Sequence, residues 1–209
     1  MNAKFALNGL TIQTERILLR PFCQADLEDF YEYASQKGTG ERAGWAHHTC
    51  IEDSQCILNN FIAEDKTFAI VYKHNNKVIG SIGIDEYGME SKLTEFDGLL
   101  GREIGFVLSR DYWGKGLMTE AVKAVIEHLF NVEKLDFLTC GYYDFNVQSK
   151  RVQQKCGFEP YRNRKWMKKL EPCNNCKLFR YCEGGGMHLR REDGALMLCH
   201  HNKLKTDNG

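Results

Sequence analysis

At 209 residues the chain is long enough for one well-packed core with an appendage. Its 28 basic and 28 acidic residues cancel, so no broad electrostatic grip on nucleic acid or a membrane surface is expected. No stretch approaches the ~20 continuous apolar residues of a membrane span, and Met1 to Leu10 lacks the charged start and apolar centre of a signal peptide; a cytoplasmic protein is expected.

Ile17 to Phe22 reads as a strand, and Asp26 to Tyr33 opens a helical pattern with Leu27, Phe30, Tyr31 and Ala34 on one face. The loop Gly38 to His48 carries three glycines, Trp45, His47 and His48, a composition suited to lining a pocket. A second helix is expected over Glu52 to Ala63. Thr67 to Lys73 and Lys77 to Asp85 flank His74-Asn75-Asn76 as the strands of a hairpin, and residues 87–99 read as a polar connection.

Ile104 to Leu108 is a short apolar strand. It is followed by a turn holding Gly114 and Gly116, then by a helix with apolar positions at Met118, Ala121, Val122, Val125, Ile126, Leu129 and Phe130. Phe137 to Tyr142 reads as another strand, and Asn146 to Cys156 as a short helix stopped by Gly157. Residues 158–168 and Ala195 to Cys199 suit two further strands. This order is α/β with a mixed sheet. The helical crossover between the Ile104 and Phe137 strands makes that pair parallel.

A strand, a turn without Cβ atoms and a helix with a bare N-terminus form an anion site. The first helical turn leaves amide donors unpaired and carries partial positive charge. The run Tyr-Trp-Gly-Lys-Gly-Leu-Met-Thr-Glu-Ala at 112–121 is narrower than a generic glycine turn. It resembles the pyrophosphate loop of the GNAT acyltransferases, in particular the ribosomal-protein N-terminal acetyltransferase branch. Thr14-Glu15-Arg16-Ile17-Leu18-Leu19-Arg20-Pro21 is similar to that branch's opening strand. Gly44-Trp45 falls where its substrate-side loop often has such a pair, and Asn146-x2-Ser149-x-Arg151-Val152-x2-Lys155-x-Gly157-Phe158 is similar to its closing motif. The resemblance spans roughly residues 11–160. Asp111 departs from it, standing where the wider family often has Gln or Arg.

The resemblance implies a mostly antiparallel sheet with a splayed parallel central pair, flanked by helices, and acetyl-CoA as cosubstrate. Phe106, Val107 and Leu108 would present strand backbone to the pantetheine, with an amide near Val107 on the thioester oxygen. Trp113, Gly114, Lys115, Gly116, Leu117, Met118 and Thr119 would form the diphosphate loop, with Lys115 reaching a phosphate. Asn146 would touch the pantetheine, besides serving as a helix N-cap, and Ser149 would lie near the thiol.

Acetyl transfer to an amine needs a neutral amine, donors for the oxyanion and a way to stabilise the leaving thiolate. Glu103, just before the Ile104 strand, is the expected general base, through a water, with Glu41 as second choice. Tyr142 or Tyr143 is the expected proton donor to the thiolate. The acceptor is a small amine or a protein N-terminus. Nucleic acid and membrane are not expected partners, and the resemblance is compatible with a homodimer.

Of the nine cysteines, Cys23, Cys50, Cys56, Cys140 and Cys156 are scattered singly and suit packing as small apolar residues. Cys173-x2-Cys176-x5-Cys182, with Cys199 further on, has the spacing of thiolate metal ligands. Zinc fits such a set better than iron–sulfur. The segment also resembles the auxiliary iron–sulfur region of SPASM domains, with Met187 where another cysteine would stand. The whole reads as one domain over 1–209 with a Cys-rich insertion at about 169–193, on the last hairpin. A second class of function is an acyl-CoA-binding module that senses metal or redox state without turnover.

Overall fold

Ile17 and Leu19 are fully buried, while Leu18 and Arg20 face the other way, the period of two that sets a strand between two packed layers. The computed structural model describes residues 1–87 and 96–159. Its strands β1 (Ile12–Gln13), β2 (Ile17–Pro21), β3 (Thr67–Tyr72), β4 (Lys77–Asp85), β5 (Gly101–Leu108) and β6 (Phe137–Thr139) lie side by side in chain order. All neighbours are antiparallel except β5 and β6, which are parallel. The expected mixed sheet is therefore present.

Helices α1 (Leu27–Ala34) and α2 (Ile51–Glu64) cover one face. Phe22, Phe30, Tyr33, Leu58, Ala69 and Val71 form the core there. Helix α3 (Leu117–Asn131) covers the other face through Leu117, Met118, Ala121, Val122, Val125 and Leu129, packed on Ile17, Leu19, Ile82, Ile84 and Ile104. Phe130, expected on that apolar face, is exposed. Helix α4 (Val147–Lys155) adds Val152 to the same core.

Two strand boundaries differ from expectation, and both differences shape the site. β5 begins at Gly101, so Glu103 lies inside the strand rather than before it. Gly-Arg-Glu carries no apolar signal; it is recruited by pairing, Asp85 standing opposite Glu103 in β4 and Thr139 beside it in β6. β6 ends at Thr139 and does not reach Tyr142. The Gly141 carbonyl accepts a hydrogen bond from Nε2 of Gln153 on α4, at 3.1 Å, which turns the chain away from β5. Ile104 to Leu108 consequently pair with β4 on one side and with no strand on the other, among the described residues. The strand expected at 158–168 from residue 160 onward, the strand at 195–199, the insertion at about 169–193 and most of the 87–99 connection lie outside the described residues, and 158–159 are not strand.

The start of α1 is fixed by an ion pair. Arg20 grips both carboxylate oxygens of buried Asp26 at 2.7 Å, and the Cys23 amide donates to the same carboxylate at 2.8 Å. Burial pushes Asp26 up, but the Arg20 and Cys23 hydrogen bonds outweigh it and hold the carboxyl below its ordinary value. A lowered folded pKa gives stability that is complete above the unfolded carboxylate pKa and is lost as pH falls through the folded value. Asp26→Asn is expected to cost about 3 kcal/mol at neutral pH and to flatten the acid limb of stability. Urea denaturation between neutral pH and roughly pH 3 checks both.

Candidate functional site

The turn between β5 and α3 has the geometry of an anion cradle. Gly114 and Gly116 sit at φ +75° and +77°, and Gly116 is the N-cap of α3. No atom crowds a Cβ at Gly114, and only Arg16 comes within van der Waals distance at Gly116. Glycine is therefore demanded by the left-handed backbone and not by space. The amides of Gly114 through Thr119 have no protein acceptor among the described residues, as expected where a helix begins without a side-chain cap.

The cradle is braced from the other end of the sequence. Glu120, in the first turn of α3, accepts from Thr14 Oγ1 (2.5 Å), the Arg16 amide (3.0 Å) and Arg16 Nε (2.7 Å). Arg16 Nη1 also donates to the Lys115 carbonyl inside the turn, at 3.0 Å. Burial pushes the Glu120 carboxyl up; the hydrogen bonds from Thr14 and Arg16 overcome that and hold it below its ordinary value. Lys115 folds back, its ammonium 2.9 Å from the Asp111 carbonyl and over the Tyr112 ring. Asp111 accepts from Gln36 at 3.0 Å, which ties the turn to the segment after α1.

A small cavity of about 80 Å³ opens between the end of β5, the α1–α2 loop and the start of α4. Phe106, Val107, Leu108, Trp113, Met118, Asn146 and Ser149 line it, which unites most of the residues expected to hold the cosubstrate. Trp113 donates through Nε1 to the Leu108 carbonyl at 2.8 Å, and the guanidinium groups of Arg42 and Arg110 lie 5.4 and 5.7 Å from its ring centroid. Asn146 is the N-cap of α4: Oδ1 accepts from the Ser149 amide at 3.1 Å, while Nδ2 donates to the Arg42 carbonyl at 2.9 Å. An amide NH2 has two hydrogens, so one donor of Asn146 remains for a ligand beside its capping role.

The other expected residues divide. Glu103, Gly105 and Val107 alternate onto the sheet face turned toward α1 and α2, with Gly105 exposed between them. Glu41 is bound to His47 Nδ1 at 2.7 Å and to the Gly38 amide. Burial raises it, and the hydrogen bonds from His47 and the backbone more than offset that, leaving it below its ordinary value. His48 is held by Ser54 at 2.7 Å. Tyr142 is exposed, whereas the hydroxyl of Tyr143 is seated against Gly44 of the α1–α2 loop. Sequence reading missed the Glu120 brace, Arg42 and Gln153. Of these only Gln153 left a local signal, four residues after Ser149 and hence on the same helix face. Cys173, Cys176, Cys182 and Cys199 lie outside the described residues. Among the described ones no group of three or more His, Cys, Asp or Glu side chains is placed to hold a metal ion, and no helix is long and apolar enough to cross a membrane.

A glycine turn at an uncapped helix N-terminus, beside a parallel strand pair that parts after three residue pairs, is the arrangement of an acyltransferase fold. A sequence model of the acetyltransferase (GNAT) domain matches residues 16–159, and the chain belongs to that family. Relatives agree. The probable N-acetyltransferase YjcK of Bacillus subtilis is 32% identical over 95 residues, 46% of this chain and 49% of that protein, so this match spans about half of the relative. A GNAT-family acetyltransferase structure from Bacillus anthracis superposes with TM-score 0.66 at 27% identity, covering 79% of this chain and 92% of that one. The fold is also that of the microcin C7 self-immunity acetyltransferase MccE, solved with acetyl-CoA and AMP (TM-score 0.55, 19% identity, 69% of this chain and 79% of that one).

Gly116→Ala places a Cβ in the left-handed region, at about 1–2 kcal/mol. It is expected to weaken acetyl-CoA binding roughly tenfold and to lower Tm by a few degrees, as calorimetry and thermal melting will show.

Proposed function

We propose that the chain moves an acetyl group from acetyl-CoA to a primary amine, either a small molecule or a protein N-terminus, by direct attack in a ternary complex. The observation that carries this reading is the continuity between the amides of Gly114–Thr119 and the unpaired edge of β5 at Ile104–Leu108. The diphosphate would sit on the first and the pantetheine would extend along the second. In this reading the thioester lies beside Val107, with the neighbouring Phe106 amide donating to its oxygen from the open edge, because the Val107 amide faces Ser81 of β4 just as the Ser109 amide faces Ile79, and the acceptor amine sits over Gly105, where no side chain intrudes.

Glu103 is the proposed base. Four residues along a strand separate it from Val107, about 13 Å, so it takes the amine proton through water in the gap above Gly105. The amine nitrogen then attacks the carbonyl carbon, and the carbon–sulfur bond breaks with its electron pair on sulfur. Ser149, on the far wall of the cavity, donates a hydrogen bond to that sulfur. A serine hydroxyl is a far weaker acid than a thiol, so its part is to stabilise the thiolate, which solvent or a tyrosine hydroxyl then protonates. Tyr142 is the candidate from the sequence; Tyr143 is nearer the α1–α2 loop.

The ribosomal-protein branch rests on the Thr14–Pro21, Gly44-Trp45 and Asn146–Phe158 motifs. For the cysteines we propose one zinc on Cys173, Cys176, Cys182 and Cys199, within an insertion on the last hairpin of a single domain. The family match ends before them. Stoichiometric zinc in the purified protein, lost in Cys173→Ser/Cys176→Ser, would support it; metal-free, fully active protein would not.

The decisive experiment is acetyl-CoA binding by calorimetry, followed by turnover against a panel of amines and peptides. Binding with turnover supports the transferase; binding with metal but no turnover of any amine supports a sensing module. Ser149→Ala is expected to lower kcat about 10–100-fold with little change in KM for acetyl-CoA. Glu103→Gln is expected to lose the acid limb of the pH–rate profile. Unaltered profiles in these variants would remove the corresponding roles.

A further inference from the structure

Gln153 is 4% exposed, on the inner face of α4, yet it is neither apolar nor near a charged partner that would explain a buried amide. Its Nε2 makes two contacts, to the Gly141 carbonyl at 3.1 Å and to Ser149 Oγ at 3.2 Å. A carbonyl only accepts, so the atom facing Gly141 must be the nitrogen; this fixes the amide's orientation, and its second hydrogen goes to Ser149. Ser149 Oγ is thereby an acceptor, and its own proton has to point elsewhere.

The usual elsewhere is closed. A helical serine commonly returns its proton to the carbonyl four residues back. For Ser149 that residue is Phe145, which precedes the N-cap Asn146 and is not part of the helix. Among the described residues the Ser149 hydroxyl donates to nothing, and Ser149 lines the cavity that also holds Val107 and Asn146.

We infer that Gln153 is a positioning residue for catalysis: by donating to Ser149 Oγ it turns the Ser149 proton into the cavity, toward the sulfur of the leaving thiolate. This rests on the thiolate-stabilising role of Ser149 proposed above. No proton leaves Ser149 in the step. The hydroxyl remains a neutral donor while the electron pair of the broken carbon–sulfur bond settles on sulfur, and it donates more strongly because its oxygen already accepts from an amide. The same Gln153 nitrogen also donates to the Gly141 carbonyl, just past the end of β6.

The test is a double-mutant cycle with full-length protein, reading kcat and KM for acetyl-CoA and amine, with Tm and circular dichroism as controls for folding. Gln153→Met is expected to lower kcat roughly tenfold with KM for acetyl-CoA within about twofold. Gln153→Glu keeps the shape but offers an acceptor, which captures the Ser149 proton. Its kcat is expected to fall to the level of Ser149→Ala, and this variant decides the matter if Gln153→Met does not fold. In the Ser149→Ala background either substitution is expected to change kcat by less than about twofold, because the group it aims is gone. Unchanged kcat in Gln153→Glu overturns the inference. So does an equal loss with and without Ser149, which marks a purely structural role. Wild-type kcat in Ser149→Ala alone instead removes the reading beneath it, an outcome seen before Gln153 is touched.

Discussion

Everything about this site depends on where β6 lets go of β5. Three pairs, Gly101 with Phe137, Arg102 with Leu138 and Glu103 with Thr139, hold the parallel strands together. Beyond them β5 keeps β4 on one side and, among the described residues, has no strand on the other. A buried strand edge with unpaired amides and carbonyls is normally a liability. Here the gap runs on into a glycine turn and a helix N-terminus without a side-chain cap.

That arrangement is only useful if its parts hold still, and the braces come from far along the chain. Thr14 and Arg16 fasten Glu120, so the connection between β1 and β2 also fixes the helix that follows the glycine turn. Gln36 ties Asp111 and the Arg110 amide to the segment after α1. Asn146 ties α4 to Arg42. Each brace joins elements on different layers. The low folded pKa of Glu120 follows from being such a junction: its carboxylate is worth more charged than neutral because several donors already converge on it.

The layers, the helices and the parallel crossover could be read from periodicity, because apolar residues at 3.6 or 2.0 spacing must face a core whatever the tertiary details. β4 and the glycine turn were readable for the same kind of reason. The ends of β5 and β6 were not. Gly101 to Glu103 have no apolar pattern and become strand through their neighbours, while Cys140 to Tyr142 have one and are drawn out of the sheet by Gln153. Of the candidate site, the backbone cradle announces itself through glycine. Side-chain roles were harder: Glu120 has a partner 104 residues away in Arg16, and Tyr142 and Tyr143 are indistinguishable in sequence although only Tyr143 is seated against Gly44.

The α1–α2 loop is keyed into its surroundings by absence. A Cβ at Gly40 would overlap the Trp45 ring, and one at Gly44 would overlap the Tyr143 hydroxyl. Trp45 in turn packs on His48, and His48 edge-on against Phe30 in the core. Random mutagenesis aimed at this loop would therefore mostly score the collapse of a lock and reveal little about acceptor choice. Variation in what the protein accepts is better sought at Tyr142, an exposed side chain on the facing connection, than at Phe145, which stacks on the Tyr143 ring and so belongs to the lock.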